Sequence, residues 1–184
     1  MKVKPGKRTD EVVLELGRRD EPLLTAAGAA AFAIKRILVP LDFSECSKKA
    51  LRYALALARQ HSAALVLLYV AGTTPAYGPL DYAPVDFGNV QQEMEAGAAK
   101  QLAKMIEDEI GDAVPAEAII RAGMASTEIV EAARELTADL IVISTHGRSG
   151  LKHVLLGSVA EQVVRHAPCP VLVVREREHE FLRG

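Results

Sequence analysis

The stretch Asp139-Leu140-Ile141-Val142-Ile143-Ser144-Thr145-His146-Gly147-Arg148-Ser149-Gly150 decides how the rest of the chain is read. Its first half is a compact β-branched run of the kind buried in a parallel sheet, and its second half is a glycine-containing loop. Further on, Gly157-Ser158-Val159-Ala160-Glu161 reads as a helix start, with Ser158 and Glu161 at capping-box spacing. A strand that leads through such a loop to a helix N-terminus gathers backbone N–H groups and the positive end of a helix dipole, which favours an anion such as phosphate. Gly147 and Gly157 let backbone approach a ligand with no Cβ in the way. On this reading, Gly157→Val blocks the phosphate approach and leaves the fold intact. Neither Gly-x4-Gly-Lys-Ser/Thr nor Gly-x-Gly-x2-Gly occurs, so the P-loop and the dinucleotide fingerprint do not apply.

Outward from this stretch, strand-like and helix-like segments alternate from residue 36 onward, the pattern of a parallel sheet built from crossover units. Five strands are predicted, at residues 36–41, 64–70, 116–121, 139–144 and 171–175. A first helix covers residues 44–60, capped by Ser44 or Ser47, with Ala50, Leu51, Ala54, Leu55, Leu57 and Ala58 as its core-facing stripe. A second covers roughly 90–110, turns Met94, Ala98, Leu102, Met105 and Ile106 inward and stops at Gly111. The third follows Ser126 as N-cap with Ile129, Val130, Ala133 and Leu136 facing the core, and the fourth runs from Ser158 to about His166. Residues 72–89, with Pro75, Pro79, Pro84, Tyr77 and Tyr82, read as a long irregular connection.

Two parts of this text carry a resemblance. Ile34-Lys35-Arg36-Ile37-Leu38-Val39-Pro40-Leu41-Asp42-Phe43-Ser44 and the stretch from Ser144 to Arg175, ending His166-Ala167-Pro168-Cys169-Pro170-Val171-Leu172-Val173-Val174, are similar to the universal stress protein family. Nucleotide-binding members carry Gly-x2-Gly-x9-Gly-Ser/Thr. Here Gly147 and Gly157 are separated by nine residues and Ser158 follows, while Ser144 stands where the first glycine would be. The resemblance implies an α/β fold, an open five-stranded parallel sheet in the order 3-2-1-4-5 with helices on both faces, Rossmann-like. In such a sheet the crevice lies where the winding reverses, beyond the C-terminal ends of strands 1 and 4.

The resemblance also assigns roles. Pro40, Leu41 and Asp42 match the segment against adenine and ribose, and Val70 matches a backbone contact to the base. Ile143, Ser144, His146, Gly147 and Arg148 match the ribose and phosphate loop; Gly157, Ser158 and Val159 match the residues that hold the outer phosphates. Asp42 would serve the nucleoside end or act through Mg²⁺, since a carboxylate repels a triphosphate; its other role is to cap the helix near Ser44. Arg148 offers a bidentate donor to phosphate. The implied function is ATP binding with Mg²⁺ by a nucleotide-responsive regulatory homodimer that reports to an unidentified protein partner, its last strand, Val171-Leu172-Val173-Val174, pairing with its mate. Two rival readings stay open: a slow ATPase using His146 or Asp42, and a nucleotide-free dimerisation module. No Ser-His-Asp or HExxH constellation is legible, and the histidine spacings build no metal site.

Composition bounds the rest. A chain of 184 residues, 49% hydrophobic, has the size for one core. A net charge of −2, no Trp, and only four Phe and four Tyr argue against nucleic acid as a partner. Cys46 and Cys169 lack metal or disulfide spacing, which fits a reducing cytoplasm, and Cys169 reads as a small hydrophobe at a strand start. The apolar stretch 23–34 is too short to span a bilayer, and Asp10, Glu11, Glu15, Asp20 and Glu21 precede it, unlike a signal peptide's basic start. Residues 1–33 form an added arm, residues 34–176 the family-like domain and residues 177–184 a tail.

Overall fold

The structure, a computed structural model, describes residues 33–72, 87–145 and 156–176, together with the short segments 2–5 and 12–15. The chain divides into two compact units, Met1–Ala33 and Ile34–Gly184. In the first, β1 (Lys2–Pro5) and β2 (Val12–Glu15) form an antiparallel pair, with Lys2 opposite Glu15 and Pro5 opposite Val12.

The second unit follows the alternation of its sequence. It runs β3 (Arg36–Pro40), α1 (Glu45–His61), β4 (Ala64–Ala71), α2 (Phe87–Met105), β5 (Ala116–Ala122), α3 (Ala125–Glu135), β6 (Leu140–Ser144), α4 (Ser158–His166) and β7 (Val171–Val174). The strands form one sheet in the order β5-β4-β3-β6-β7, every neighbouring pair parallel. Counted within this unit, that is the expected 3-2-1-4-5.

Period-two alternation explains the layering, because successive side chains of a strand leave opposite faces. Ile37, Val39, Leu65, Leu67 and Val142 pack with Ala50, Leu51, Ala54 and Ala58 of α1 and with Leu102 and Met105 of α2. Leu38, Val66, Leu68, Ile141 and Ile143 pack on the other face with Ile129, Val130 and Ala133 of α3 and with Ala160 and Val163 of α4. Each fully buried Leu, Ile or Val contributes about 1.5–3 kcal/mol of transfer free energy, and β3, at the centre of the sheet, supplies both layers. Its start is tied down by Asp139, whose Oδ2 accepts the backbone N–H of Lys35 at 2.8 Å and of Arg36 at 2.9 Å.

Several local expectations change. Residues 87–89, read as irregular, already belong to α2. Met94 is 44% exposed rather than core-facing. Periodicity defines a helix face but not how far the sheet beneath it reaches, and among residues 92–105 of α2 the first buried one is Ala98. That helix also passes into a π-helical turn, Ile106–Ile110, in place of the continuous α-helix expected there. Gly111 ends it as expected, with φ of 54° and its N–H on the Ile106 carbonyl at 2.7 Å.

The N-caps of α3 and α4 also differ. Met124, not Ser126, is the N-cap of α3, and no side chain caps it. Gly157, not Ser158, is the N-cap of α4, so the predicted capping box is not formed. The cause is upstream: the Gly157 N–H is anchored to the Thr145 carbonyl at 2.8 Å, and the helix winds directly from that anchor. Glu161 pairs instead with Arg165 at 2.9 Å. By contrast Ser44 caps α1 as expected, accepting the Ser47 N–H at 3.2 Å.

Cys169 is half-buried against the α3/α4 layer, and desolvation, with the Asp139 charge as a smaller cause, pushes its thiol pKa up. That matches the reading of a small hydrophobe. No helix among the described residues is long and apolar enough to cross a membrane.

Candidate functional site

The winding reverses between β3 and β6, and the C-terminal ends of these strands open into a cleft of about 200 Å³. Three backbone segments make its near side. Pro40 ends β3, and Leu41 and Asp42 continue along the rim, with the Leu41 N–H on the Leu68 carbonyl at 2.8 Å. Leu68 and Val70 come from the same face of β4, two residues apart. Ile143, Ser144 and Thr145 carry the end of β6 into the cleft.

The far side is made by two helix starts. Ala125 and Ile129, one turn apart on α3, form one wall, and Gly157, Ser158, Val159 and Ala160 at the beginning of α4 form the other. The first N–H groups of a helix have no carbonyl four residues back within it, so they and the helix dipole present partial positive charge. In α4 the Glu161 N–H is the one that reaches back to Gly157, at 2.9 Å. The cleft is therefore two-ended. Leu41, Leu68, Val70, Ile129 and Ile143 supply an apolar part, and Asp42, Ser144 and Ser158 with the α4 start supply a polar part.

Pro40, Leu41, Asp42, Val70, Ile143, Ser144, Gly157, Ser158 and Val159 thus all line one cavity, although they were picked from segments about a hundred residues apart. His146, Gly147 and Arg148 lie outside the described residues, as do Lys152 and His153. Leu68, Ala125, Ile129, Thr145 and Ala160 were missed. Leu68 was recoverable, since it shares the face of Val70 in an alternating strand. Ala125 and Ile129 carry no local signal, because their helix reaches the cleft only through the fold.

Two residues have roles that the pattern did not separate. Asp42 Oδ1 accepts the Ser44 N–H at 3.1 Å and the Ser44 hydroxyl at 2.6 Å, so it supports the start of α1. Gly157 sits so close to the end of β6 that a Cβ there would stand 2.5 Å from the Thr145 carbonyl oxygen, a distance that real Cβ atoms do not show. The expectation that Gly157→Val leaves the fold intact is therefore withdrawn: this glycine is required by backbone packing.

Next to Asp42, Phe43 adopts φ of 65°, a region that bulky side chains rarely enter. Its ring stacks on Tyr69 with centroids 5.0 Å apart and planes at 25°. This tight bend lets the chain leave β3 and enter α1 within a few residues. On the flank of α3, Arg121 pairs with Glu135 and, at 3.7 Å, with Glu128. The hydrogen bond to Glu135 is the main cause raising the Arg121 pKa, and the same bond lowers that of Glu135.

Residues 33–175 match the model of the universal stress protein family. A universal stress protein of Methanocaldococcus jannaschii is 37% identical over 147 residues, covering 79% of this chain and 85% of the relative. One from Bacillus subtilis is 36% identical over 145 residues, covering 76% of this chain and 98% of the relative. Among solved structures, a universal stress protein of Lactobacillus plantarum superposes with a TM-score of 0.66 at 29% identity, over 79% of this chain and 100% of that one. Two more distant structures, both 22% identical with a TM-score of 0.55, share the fold: a universal stress protein in complex with cAMP, covering 77% of this chain and 97% of that one, and an Arabidopsis thaliana family protein with AMP bound, covering 82% and 97%. With its sheet order, its switch-point cleft and a match across the whole αβ unit, the chain belongs to the universal stress protein family.

Proposed function

We propose that the cleft between β3 and β6 binds an adenine nucleotide, ATP in particular, and that the protein is a nucleotide-responsive regulatory dimer. The observation that carries this reading is the two-ended lining: an apolar part suited to a planar base beside a helix start suited to phosphate. Pro40, Leu41, Val70 and Ile143 contact the nucleoside, Ser144 with His146, Gly147 and Arg148 the ribose and inner phosphates, and Gly157, Ser158 and Val159 the outer phosphates. A cleft of about 200 Å³ is smaller than sites that enclose a whole drug-sized ligand, which start near ~300 Å³. It takes the nucleoside inside and leaves the phosphates along the α4 start. Two structures that share this fold hold cAMP and AMP, ligands of the same class.

Mg²⁺ fits the oxygen donors at hand. When bound it would neutralise phosphate charge; the phosphates hold it, with Asp42, the one carboxylate among the described lining residues, as the protein group nearest in kind. The dimer forms through β7, an edge strand whose Val171, Leu172 and Val173 are half-buried, because an apolar edge left open invites pairing. Residues 1–33 are an extension to the family domain, residues 177–184 are a tail, the partner that reads the nucleotide state is a protein, and the setting is cytoplasmic.

One observation favours a second reading, a dimerisation module with no nucleotide: Gly157 has a packing reason to be glycine whether or not a ligand approaches it. Calorimetric titration with ATP, in the presence and absence of Mg²⁺, separates the two. Saturable binding at one site per chain supports the first reading; a flat titration at millimolar ATP leaves the second. Native mass spectrometry of the same sample reports subunit number and co-purified nucleotide together.

A further inference from the structure

The apolar part of the cleft has one wall that no motif residue supplies. It comes from α3, where Ala125 and Ile129 stand one turn apart. Ile129, Val130, Ala132 and Ala133 are buried against the sheet, so Ala125, four residues before Ile129, lies on the sheet-facing side of the helix. It is only half-buried, because what it faces is the cleft and not the core. Opposite it are Leu68 and Val70 of β4 and Ile143 of β6. The start of α4, with Ser158, is a separate part of the lining.

We infer that Ala125 is the specificity-determining residue of the base subsite: its single methyl group sets the width of the apolar slot, which admits a flat heteroaromatic ring and excludes a ring with bulk added at its edge. This deepens the nucleotide reading and rests on it. The physical reason is volume. In a cleft of about 200 Å³, three further carbon atoms at this position occupy the space of a large share of a planar base. A longer side chain on the sheet-facing side of the helix extends into the cleft that Ala125 lines. The phosphate end, made by a different helix, is left as it was. Ala125 is also the first residue of α3 and half-exposed, so the helix can carry a different side chain there without disturbing the buried face that starts at Ile129.

The test compares full-length wild type, Ala125→Leu and Ala125→Gly by calorimetry with ATP, inorganic tripolyphosphate and N6-benzyl-ATP, with circular dichroism to establish folding. Ala125→Leu is expected to bind ATP at least tenfold more weakly while tripolyphosphate affinity stays within twofold of wild type. Ala125→Gly is expected to gain at least fivefold for N6-benzyl-ATP relative to wild type. Should Ala125→Leu fail to fold, the glycine variant alone decides. Equal ATP affinity in folded Ala125→Leu, parallel loss of ATP and tripolyphosphate, or no gain in Ala125→Gly overturns the role of Ala125 and leaves the nucleotide reading standing. Wild type that binds no ATP overturns both.

Discussion

Two helices start at the C-terminal edge of the same sheet, and they satisfy their first turns in opposite ways. At α1 the demand is met internally: Ser44 accepts the Ser47 N–H, and Asp42 in turn accepts both the backbone N–H and the hydroxyl of Ser44. At α4 the N-cap is Gly157, no side chain caps the helix, and the residues of its first turn line the cleft. A helix start that uses its own side chains is finished as structure. One that brings only backbone leaves its positive end to whatever enters the cleft. The contrast teaches that serines next to a helix start are not equivalent. Ser44 is part of the fold, whereas Ser158, exposed and already inside the helix, is available for binding.

The largest effect is expected where α4 is anchored. Gly157 donates to the Thr145 carbonyl and leaves no room for a Cβ, so Gly157→Val forces backbone apart at the point where β6 hands over to α4. Overpacking of this kind costs about 1–3 kcal/mol and sometimes more, and urea denaturation should show it as a lower midpoint with an unchanged slope. Wild-type stability in that variant would mean that the anchor yields easily and that α4 is not fixed as described. Loss of nucleotide binding in Gly157→Val alone therefore says little about ligand contact, which is why Ala125 and Ser158 are the better probes.

A matched pair of serine variants sharpens the comparison. Ser44→Ala removes a formed N-cap and should lower stability by about 1 kcal/mol, with ATP affinity changed less than twofold. Ser158→Ala removes no cap and should stay within about 0.5 kcal/mol of wild type while ATP affinity falls several-fold. If instead Ser158→Ala destabilises the protein and Ser44→Ala does not, the assignment of the two helix starts is inverted.

How much of this was legible depends on the range over which the signal acts. The strands were readable because Leu140-Ile141-Val142-Ile143 and Leu65-Val66-Leu67-Leu68 are buried on both faces, and strands covered by helix layers on both sides read as such runs. The cleft's motif side was readable because strand ends and glycine spacing are written locally. The helix starts were not. Ser126 and Ser158 have the right chemistry for an N-cap, yet the chain is anchored just ahead of each, at Gly123 by a backbone bond to Ala71 and at Gly157 by one to Thr145, and the N-caps are Met124 and Gly157. Met94 follows the helical period and still faces solvent, because the sheet's reach beneath α2 is a tertiary fact. Ala125 and Ile129 became site residues only when α3 was laid on the sheet at β4, beside the start of α4.

The smallest expected effect concerns that same α3 wall and is a pH dependence. Arg121, near the end of β5, holds Glu135 at the far end of the helix, and their hydrogen bond lowers the Glu135 pKa from its ordinary 4.5 and raises that of Arg121. A carboxylate with a lowered folded-state pKa binds fewer protons in the native state than in the unfolded one, so stability rises with pH across that interval. The pair's contribution is complete above the ordinary carboxylate range and is lost as pH falls below 4.5 through the lowered value. Arg121 stays charged throughout and adds no pH dependence of its own. The carboxylate is at the surface, so solvent and salt screen the pair and the effect is small. Denaturation of wild type and Glu135→Gln side by side should show a modest gap at pH 6 that closes on acidification and narrows in high salt. If the gap is unchanged at low pH, the pair does not hold α3 electrostatically, and the cleft wall depends on the buried face of Ile129, Val130 and Ala133 alone.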